Sequence, residues 1–155
     1  DGADELDFVC NYEAFKKGEI ELVKNEVFIL TRYAFYNHKV AKWIIEVAAL
    51  TDAQIIQISA LIKNVVMANF KEDTYQNVFV KSSTGFYKTE NNLPNGATIP
   101  AIIMMIENAS PLPVKAAGGV RTYEDVAEMI RIGVKRIGTS AAKTIANGNV
   151  SINNY

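Results

Sequence analysis

The sequence predicts an α/β fold built from repeated βα units around a parallel sheet. Three observations carry this. Short β-rich runs alternate with longer amphipathic segments, as in chains whose strands are joined by covering helices. Charged residues recur within or at the ends of those runs at nearly one interval: Asp7, Lys42, Lys81 and Lys115 lie 35, 39 and 34 residues apart. Glycine-bearing turns join the last two runs to helix starts.

The β-runs are Leu6 to Asn11, Val40 to Ile45, Val78 to Ser82, Pro113 to Ala116 and Arg136 to Gly138. Helical candidates fill the intervals, covering Tyr12 to Tyr36, Thr51 to Asn69, Thr98 to Asn108, Thr122 to Ile132 and Ala141 to Ala146. Thr51-Asp52 and Thr122-Tyr123-Glu124-Asp125 have the form of helix N-termini, a hydroxyl cap followed by carboxylates near the positive end of the helix dipole. The stretch Tyr87 to Gly96 is polar, with Lys88, Glu90, Asn91, Asn92, Pro94 and Asn95, and comes after the third run. Loops of this length in compact domains are lids, binding loops or plain surface excursions. Residues 1 to 147 form one unit of five βα repeats, and 148 to 155 a polar, Asn-rich tail expected to fray.

Sixteen basic side chains stand against 17 acidic ones, so no strong global field attracts nucleic acid or an anionic membrane, and an anionic ligand must be met locally. The single cysteine, Cys10, excludes an intrachain disulfide, and one histidine leaves no familiar zinc ligand set. Both point to a reducing cytoplasm and to chemistry without a metal or other cofactor. No stretch is apolar for long enough to span a bilayer, and no signal peptide opens the chain. It begins Asp-Gly-Ala-Asp without an initiator Met, the look of the interior of a longer gene product.

A charge inside an apolar strand is costly unless paired, so three lysines and an aspartate at equivalent strand positions ask for a reason. In a parallel barrel such side chains converge at the C-terminal mouth, where active sites of that architecture lie. Only a neutral amine attacks a carbonyl, and an ammonium beside another cation, shielded from water, loses its proton more readily. Lys81 could then form an imine while Lys115 depresses its pKa, with Asp7 and Lys115 or Lys42 moving protons. The plain alternative is that each lysine ends its strand by reaching solvent. Two turns add a phosphate site: Gly118-Gly119-Val120-Arg121 and Gly138-Thr139-Ser140 both open helices with bare backbone amides. Cys10 reads as a small buried side chain, His38 as surface, Trp43 as packing between sheet and helices, and Glu46 as a polar mouth residue.

Taken together, Asp4-Glu5-Leu6-Asp7, Lys42-Trp43-Ile44-Ile45-Glu46, Val80-Lys81-Ser82-Ser83-Thr84-Gly85, Val114-Lys115-Ala116-Ala117-Gly118-Gly119-Val120-Arg121-Thr122 and Arg136-Ile137-Gly138-Thr139-Ser140 resemble the deoxyribose-phosphate aldolase family, in order and spacing. The resemblance runs to about residue 147. It implies a (β/α)8 TIM barrel, of which this chain covers about the last five βα units, and a class I aldolase. The implied reaction reversibly cleaves 2-deoxy-D-ribose 5-phosphate to D-glyceraldehyde 3-phosphate and acetaldehyde. It also implies that Lys81 forms the Schiff base, that Lys115 perturbs its pKa, that Asp7 joins a proton relay with Lys115, and that Lys42 attends substrate hydroxyls and carbinolamine steps. Phosphate would be held by Gly85, Gly118, Gly119, Gly138, Thr139 and Ser140, largely through amides.

Two positions depart from the family's pattern. Phe86 stands where some members carry a lysine that reaches the phosphate, and Val47 where a threonine is common. A full barrel takes about 250 residues, so the first three strands are expected from a longer chain, with pairing between two copies as the less favoured way of covering the edges. Without either, an apolar inner face is expected to be exposed. Two other functions stay open at this level: a Schiff-base aldolase for another phosphosugar, and a non-catalytic phosphate-binding fragment of the fold.

Overall fold

The computed structural model describes residues 2–90 and 93–147; the tail at 148–155 lies outside the described residues. Five parallel strands form one sheet in the order β1-β2-β3-β4-β5. They are β1 (Glu5–Val9), β2 (Val40–Ile44), β3 (Val78–Lys81), β4 (Val114–Ala117) and β5 (Arg136–Gly138). Among the described residues five helices connect them, α1 (Tyr12–Lys16), α2 (Ile20–Tyr36), α3 (Asp52–Asn69), α4 (Ile99–Ala109) and α5 (Tyr123–Arg131), and α6 (Ala142–Ala146) follows β5, with 3-10 turns at Val47–Ala49 and Glu72–Asn77. Every neighbouring pair of strands is parallel. Sequence-adjacent strands are also neighbours in the sheet, so each crossover helix returns the chain by one place, as in the last five units of a (β/α)8 barrel.

The side-chain period of two sorts these strands into two faces. Ala41, Trp43, Ile45, Val78, Val80, Val114 and Ala116 are buried in one hydrophobic core with Val23, Val27, Ile58, Ile62, Ile102 and Met105 from the helices. Burying each large apolar side chain of this set contributes about 1.5–3 kcal/mol. Trp43 sits fully within that layer, its indole Nε1–H donating to Thr31 Oγ1 at 3.0 Å, which makes it a packing residue as read from sequence.

The opposite, concave face differs from expectation. It is not chiefly apolar: Glu5, Asp7, Lys42, Lys81, Lys115 and Arg136 all lie on it, as the registers Asp7↔Lys42, Lys81↔Lys115 and Lys115↔Arg136 require. Phe79 and Ile44 are its main buried apolar members. Arg136 on one edge strand donates to Glu5 on the other, so the sheet curls far enough for its two edges to meet across the concavity. The Arg136 guanidinium also lies 4.4 Å from the centroid of the Phe79 ring.

The expected single helix from Tyr12 to Tyr36 is two. Gly18, at φ +81°, ends α1 in the left-handed region and lets the chain turn before α2 begins at Ile20. The first run likewise ends at Val9 instead of Asn11, because the Asn11 side chain accepts from Ala14 N and caps α1. Thr51 and Thr122 cap α3 and α5 as anticipated, each in a reciprocal box with Gln54 or Asp125.

Candidate active site

Asp7, Lys42, Lys81 and Lys115 converge on the concave face of four successive strands, with Lys81 the last residue of its strand. Lys42 and Lys81 are only 8% exposed, which removes for these two the reading in which each merely reaches solvent, and Lys115 is half-buried. Their charges are met by one carboxylate: Asp7 Oδ1 lies 2.8 Å from Lys42 Nζ and Asp7 Oδ2 lies 2.9 Å from Lys81 Nζ. Glu5 Oε2 approaches Lys42 Nζ at 3.3 Å, extending the chain of alternating charge to Arg136. Asp7 therefore pairs directly with Lys42 and Lys81, whereas the resemblance couples it to Lys115.

Of the three clustered lysines, Lys115 alone has no ion-pair partner among the described residues. It is the cross-strand neighbour of Lys81, with Cα atoms about 4.8 Å apart as in any parallel ladder. Partial burial, then the positive charges of Lys42 and Lys81, hold its pKa below the ordinary lysine value, against a smaller opposing pull from Asp7 and Glu5. The Asp7 pKa is lowered as well. Burial raises its pKa, but hydrogen bonds from Lys42 and Lys81 and their charges outweigh this and hold it below its ordinary value. Beside the ion-paired Lys81 thus stands an amine that gives up its proton more readily than usual, in the arrangement amine catalysis needs.

Lys81 and Lys115 open onto a cavity of about 400 Å3, which they line together with Gly85, Gly118, Gly119, Arg121, Gly138, Thr139 and Ser140. All six residues assigned to phosphate from sequence reach this one cavity, a volume that suits a small phosphorylated metabolite. Gly118 and Gly119 adopt φ +86° and +77°, a turn that other residues enter only with strain. Among the described residues, the backbone N–H groups of Gly119, Val120 and Ser140 have no backbone acceptor outside the strand ladder. Gly85 and Thr139 are engaged differently. Gly85 N–H donates to Ser83 Oγ at 2.9 Å, and the Thr139 hydroxyl donates to Val120 O at 2.7 Å, tying the two glycine turns together. Gly138 has a steric duty besides: a Cβ there would lie 3.1 Å from Ala117 Cβ and 3.2 Å from Lys115 Cε.

The polar segment Tyr87 to Gly96 is bound into the site at its far end. Asn95 O lies 2.8 Å from Ser83 Oγ, and Ala97 N–H donates to Gly118 O at 2.9 Å. Gly96 lies so close to the Gly118 turn that a Cβ on it would meet Gly118 Cα at 2.6 Å.

Glu46 carries more than its place in the sequence suggests. It is 2% exposed and sits at φ +57°, an arrangement costing a non-glycine residue about 1–3 kcal/mol. Its carboxylate accepts from Ser83 Oγ at 2.7 Å, from Thr84 N at 3.2 Å and from Thr84 Oγ1 at 2.5 Å. The only sign in the sequence is a charge directly after an apolar strand. Glu5 and Arg136, also unassigned from sequence, share the face of Asp7 and Lys115 by the same period of two. Cys10 is buried, and burial and the Glu26 charge push its thiol up to about 12, so it is inert packing. His38 is exposed. Among the described residues no cluster of metal-ligating side chains occurs, and no helix is long and apolar enough to cross a membrane.

No family model matches the chain. Curated relatives do. The chain is 38% identical over 149 residues to a deoxyribose-phosphate aldolase of Thermococcus kodakarensis, covering 96% of this chain and 59% of that protein. It is 36% identical over 155 residues to one from Streptococcus pneumoniae, covering 99% of this chain and 62% of the relative. Among solved structures it superposes on QR15, an aldolase, with a TM-score of 0.74 at 31% identity, over 94% of this chain and 58% of that one. A deoxyribose phosphate aldolase of Aeropyrum pernix, described as a unique tetramer, gives 0.70 at 27% identity, over 94% and 55%. The chain spans about three fifths of the length of the curated relatives it matches. Its strand order, its concave lysine cluster and this likeness along nearly its whole length make the chain similar to that part of the deoxyribose-phosphate aldolases.

Proposed function

We propose that these residues carry the catalytic lysines and phosphate cradle of a class I aldolase that cleaves 2-deoxy-D-ribose 5-phosphate reversibly to D-glyceraldehyde 3-phosphate and acetaldehyde. The observation that carries the reading is the pairing of Lys81 with Lys115 across adjacent strands, beside Asp7 and at the edge of a cavity lined by two glycine turns.

The chemistry rests on the groups present. The neutral Lys81 amine adds to the aldehyde carbon of the open-chain sugar, and loss of water leaves a protonated imine. That cation draws in the electrons of the C2–C3 bond as the 3-hydroxyl gives up its proton, and D-glyceraldehyde 3-phosphate departs. The remaining enamine takes a proton at carbon, and hydrolysis of the imine releases acetaldehyde and the lysine. Lys115, whose amine is readily deprotonated, is placed to take the proton from Lys81 and return one later, while Asp7 holds Lys42 and Lys81 in register. Lys42 presents an ammonium to the sugar hydroxyls. Gly85, Gly118, Gly119, Gly138, Thr139 and Ser140 receive the phosphate, with the amides of Gly119, Val120 and Ser140 as the principal donors. The barrel's remaining strands would come from further residues of the same protein or from a second copy, and the setting would be a reducing cytoplasm.

Acetaldehyde and borohydride test this directly on the full-length protein. Reduction should add one ethyl group, located at Lys81 by peptide mapping and absent from Lys81→Leu. An adduct at Lys115 instead, or none, would overturn the assignment. Comparing 2-deoxyribose 5-phosphate with other phosphosugars then decides the substrate.

A further inference from the structure

Glu46 is a buried carboxylate with no basic partner among the described residues, and the reaction as written makes no use of it. Elsewhere on this sheet buried charge is met by charge; here it is met only by hydrogen bonds from one turn. Both oxygens face that turn: Oε1 accepts from Ser83 Oγ, and Oε2 accepts from Thr84 N–H and Thr84 Oγ1. Ser83 and Thr84 in turn orient the next two residues, since Gly85 N–H donates to Ser83 Oγ and Phe86 N–H donates to Thr84 Oγ1 at 3.1 Å. The same Ser83 hydroxyl lies 2.8 Å from Asn95 O, and Ser83 Cβ would touch any Cβ placed on Gly118. One carboxylate thus anchors the junction of three chain segments that wall the cavity: the turn after β3, the end of the long loop and the Gly118 turn.

We propose that Glu46 is a positioning residue that sets the phosphate-binding wall of the cavity. It fixes the Ser83-Thr84-Gly85 turn and, through Ser83, the seat of Asn95 and Gly118. The inference rests on the reading of this cavity as a phosphate site. A buried carboxylate accepts from all three donors at once, whereas an amide that keeps its oxygen on Thr84 turns its NH2 toward Ser83 Oγ, so the serine hydroxyl must accept instead of donate and the Ser83 link to the turn is remade.

The test uses Glu46→Gln in the full-length protein, with Thr84→Val as a second variant that removes one of the three donors should the first fold poorly. Two readouts distinguish positioning from general support. In steady-state kinetics, KM for 2-deoxyribose 5-phosphate should rise about 10-fold or more in Glu46→Gln, as expected when binding groups are displaced by a fraction of an ångström to an ångström. Turnover of unphosphorylated 2-deoxyribose should keep its KM, and Thr84→Val should move the same way by a smaller factor. Equal losses for both sugars, or no change for either, would overturn the proposal. Inorganic phosphate binding, measured by titration calorimetry, separates this from the aldolase reading, because the loss of affinity in Glu46→Gln is expected whether or not sugar is cleaved. Undiminished phosphate affinity in both variants, or a wild-type protein that binds no phosphate at this cavity, sinks the role given to Glu46. Failure of Lys81 trapping sinks the aldolase reading alone.

Discussion

Gly138→Ala probes how tightly the lysine pair is seated. The added methyl would stand 3.1 Å from Ala117 Cβ and 3.2 Å from Lys115 Cε, against about 3.5–4.0 Å for an unstrained carbon pair. Several tenths of an ångström must be found on each side. Ala117 is backbone-bound in β4, so β5 can relieve that contact only by shifting slightly. The Lys115 contact is near the end of a flexible chain and gives way first. Overpacking of this kind costs about 1–3 kcal/mol, and with one movable partner the lower end applies. At about 2–4 °C per kcal/mol for a protein of this size, Tm should fall by only a few degrees. Activity should suffer more, because moving Lys115 relative to Lys81 disturbs proton transfer, and misplacement approaching 1 Å costs up to about 100-fold. The assay is kcat for 2-deoxyribose 5-phosphate cleavage in the full-length protein beside a thermal melt, with Lys81 trapping by acetaldehyde and borohydride as a check that the nucleophile survives. A variant that melts within a few degrees of wild type and retains kcat within twofold would refute the argument that Gly138 exists to make room for Lys115.

The electrostatics and burial give two further outcomes. Asp7 has a depressed folded-state pKa, so the stability its ionised form contributes is fully present above its ordinary value of 3.8 and is lost as pH falls through the lower folded value. Asp7→Asn should therefore destabilise by about 1–2 kcal/mol near neutrality, a figure reduced because Asp7 is 40% exposed, and by progressively less in acid; urea titrations at pH 7 and below pH 4 would show whether the gap closes. Cys10, with its thiol near 12 and buried, should resist alkylation in native protein at pH 8 and react only when the chain unfolds; rapid native labelling would contradict its burial.

Much of the site is legible without coordinates. The near-constant interval of Asp7, Lys42, Lys81 and Lys115 encodes one βα repeat, and the period of two within a strand puts all four on one face. That face, with its buried lysines, needs only the alternation of apolar and charged residues. The two glycine turns are legible for the same local reason, since glycine marks where backbone amides can be left bare and where φ turns positive. Gly18 carries the same kind of signal within the first helical stretch, and continuous amphipathic character on both sides of it conceals the break.

Local periodicity along the chain is enough to fix the set of reactive groups and the face they share. Which of those groups meet is a property of the packed fold. Asp7 pairs with Lys42 and Lys81, leaving Lys115 alone of the three lysines without a counter-ion among the described residues, because the register of the strands and the lengths of the side chains settle such pairings. Glu46 joins Ser83 and Thr84 across nearly 40 residues of sequence, and the long loop reaches the Gly118 turn through Gly96. Contacts of that span depend on chain segments being packed against one another, and no residue pattern along a single segment records them.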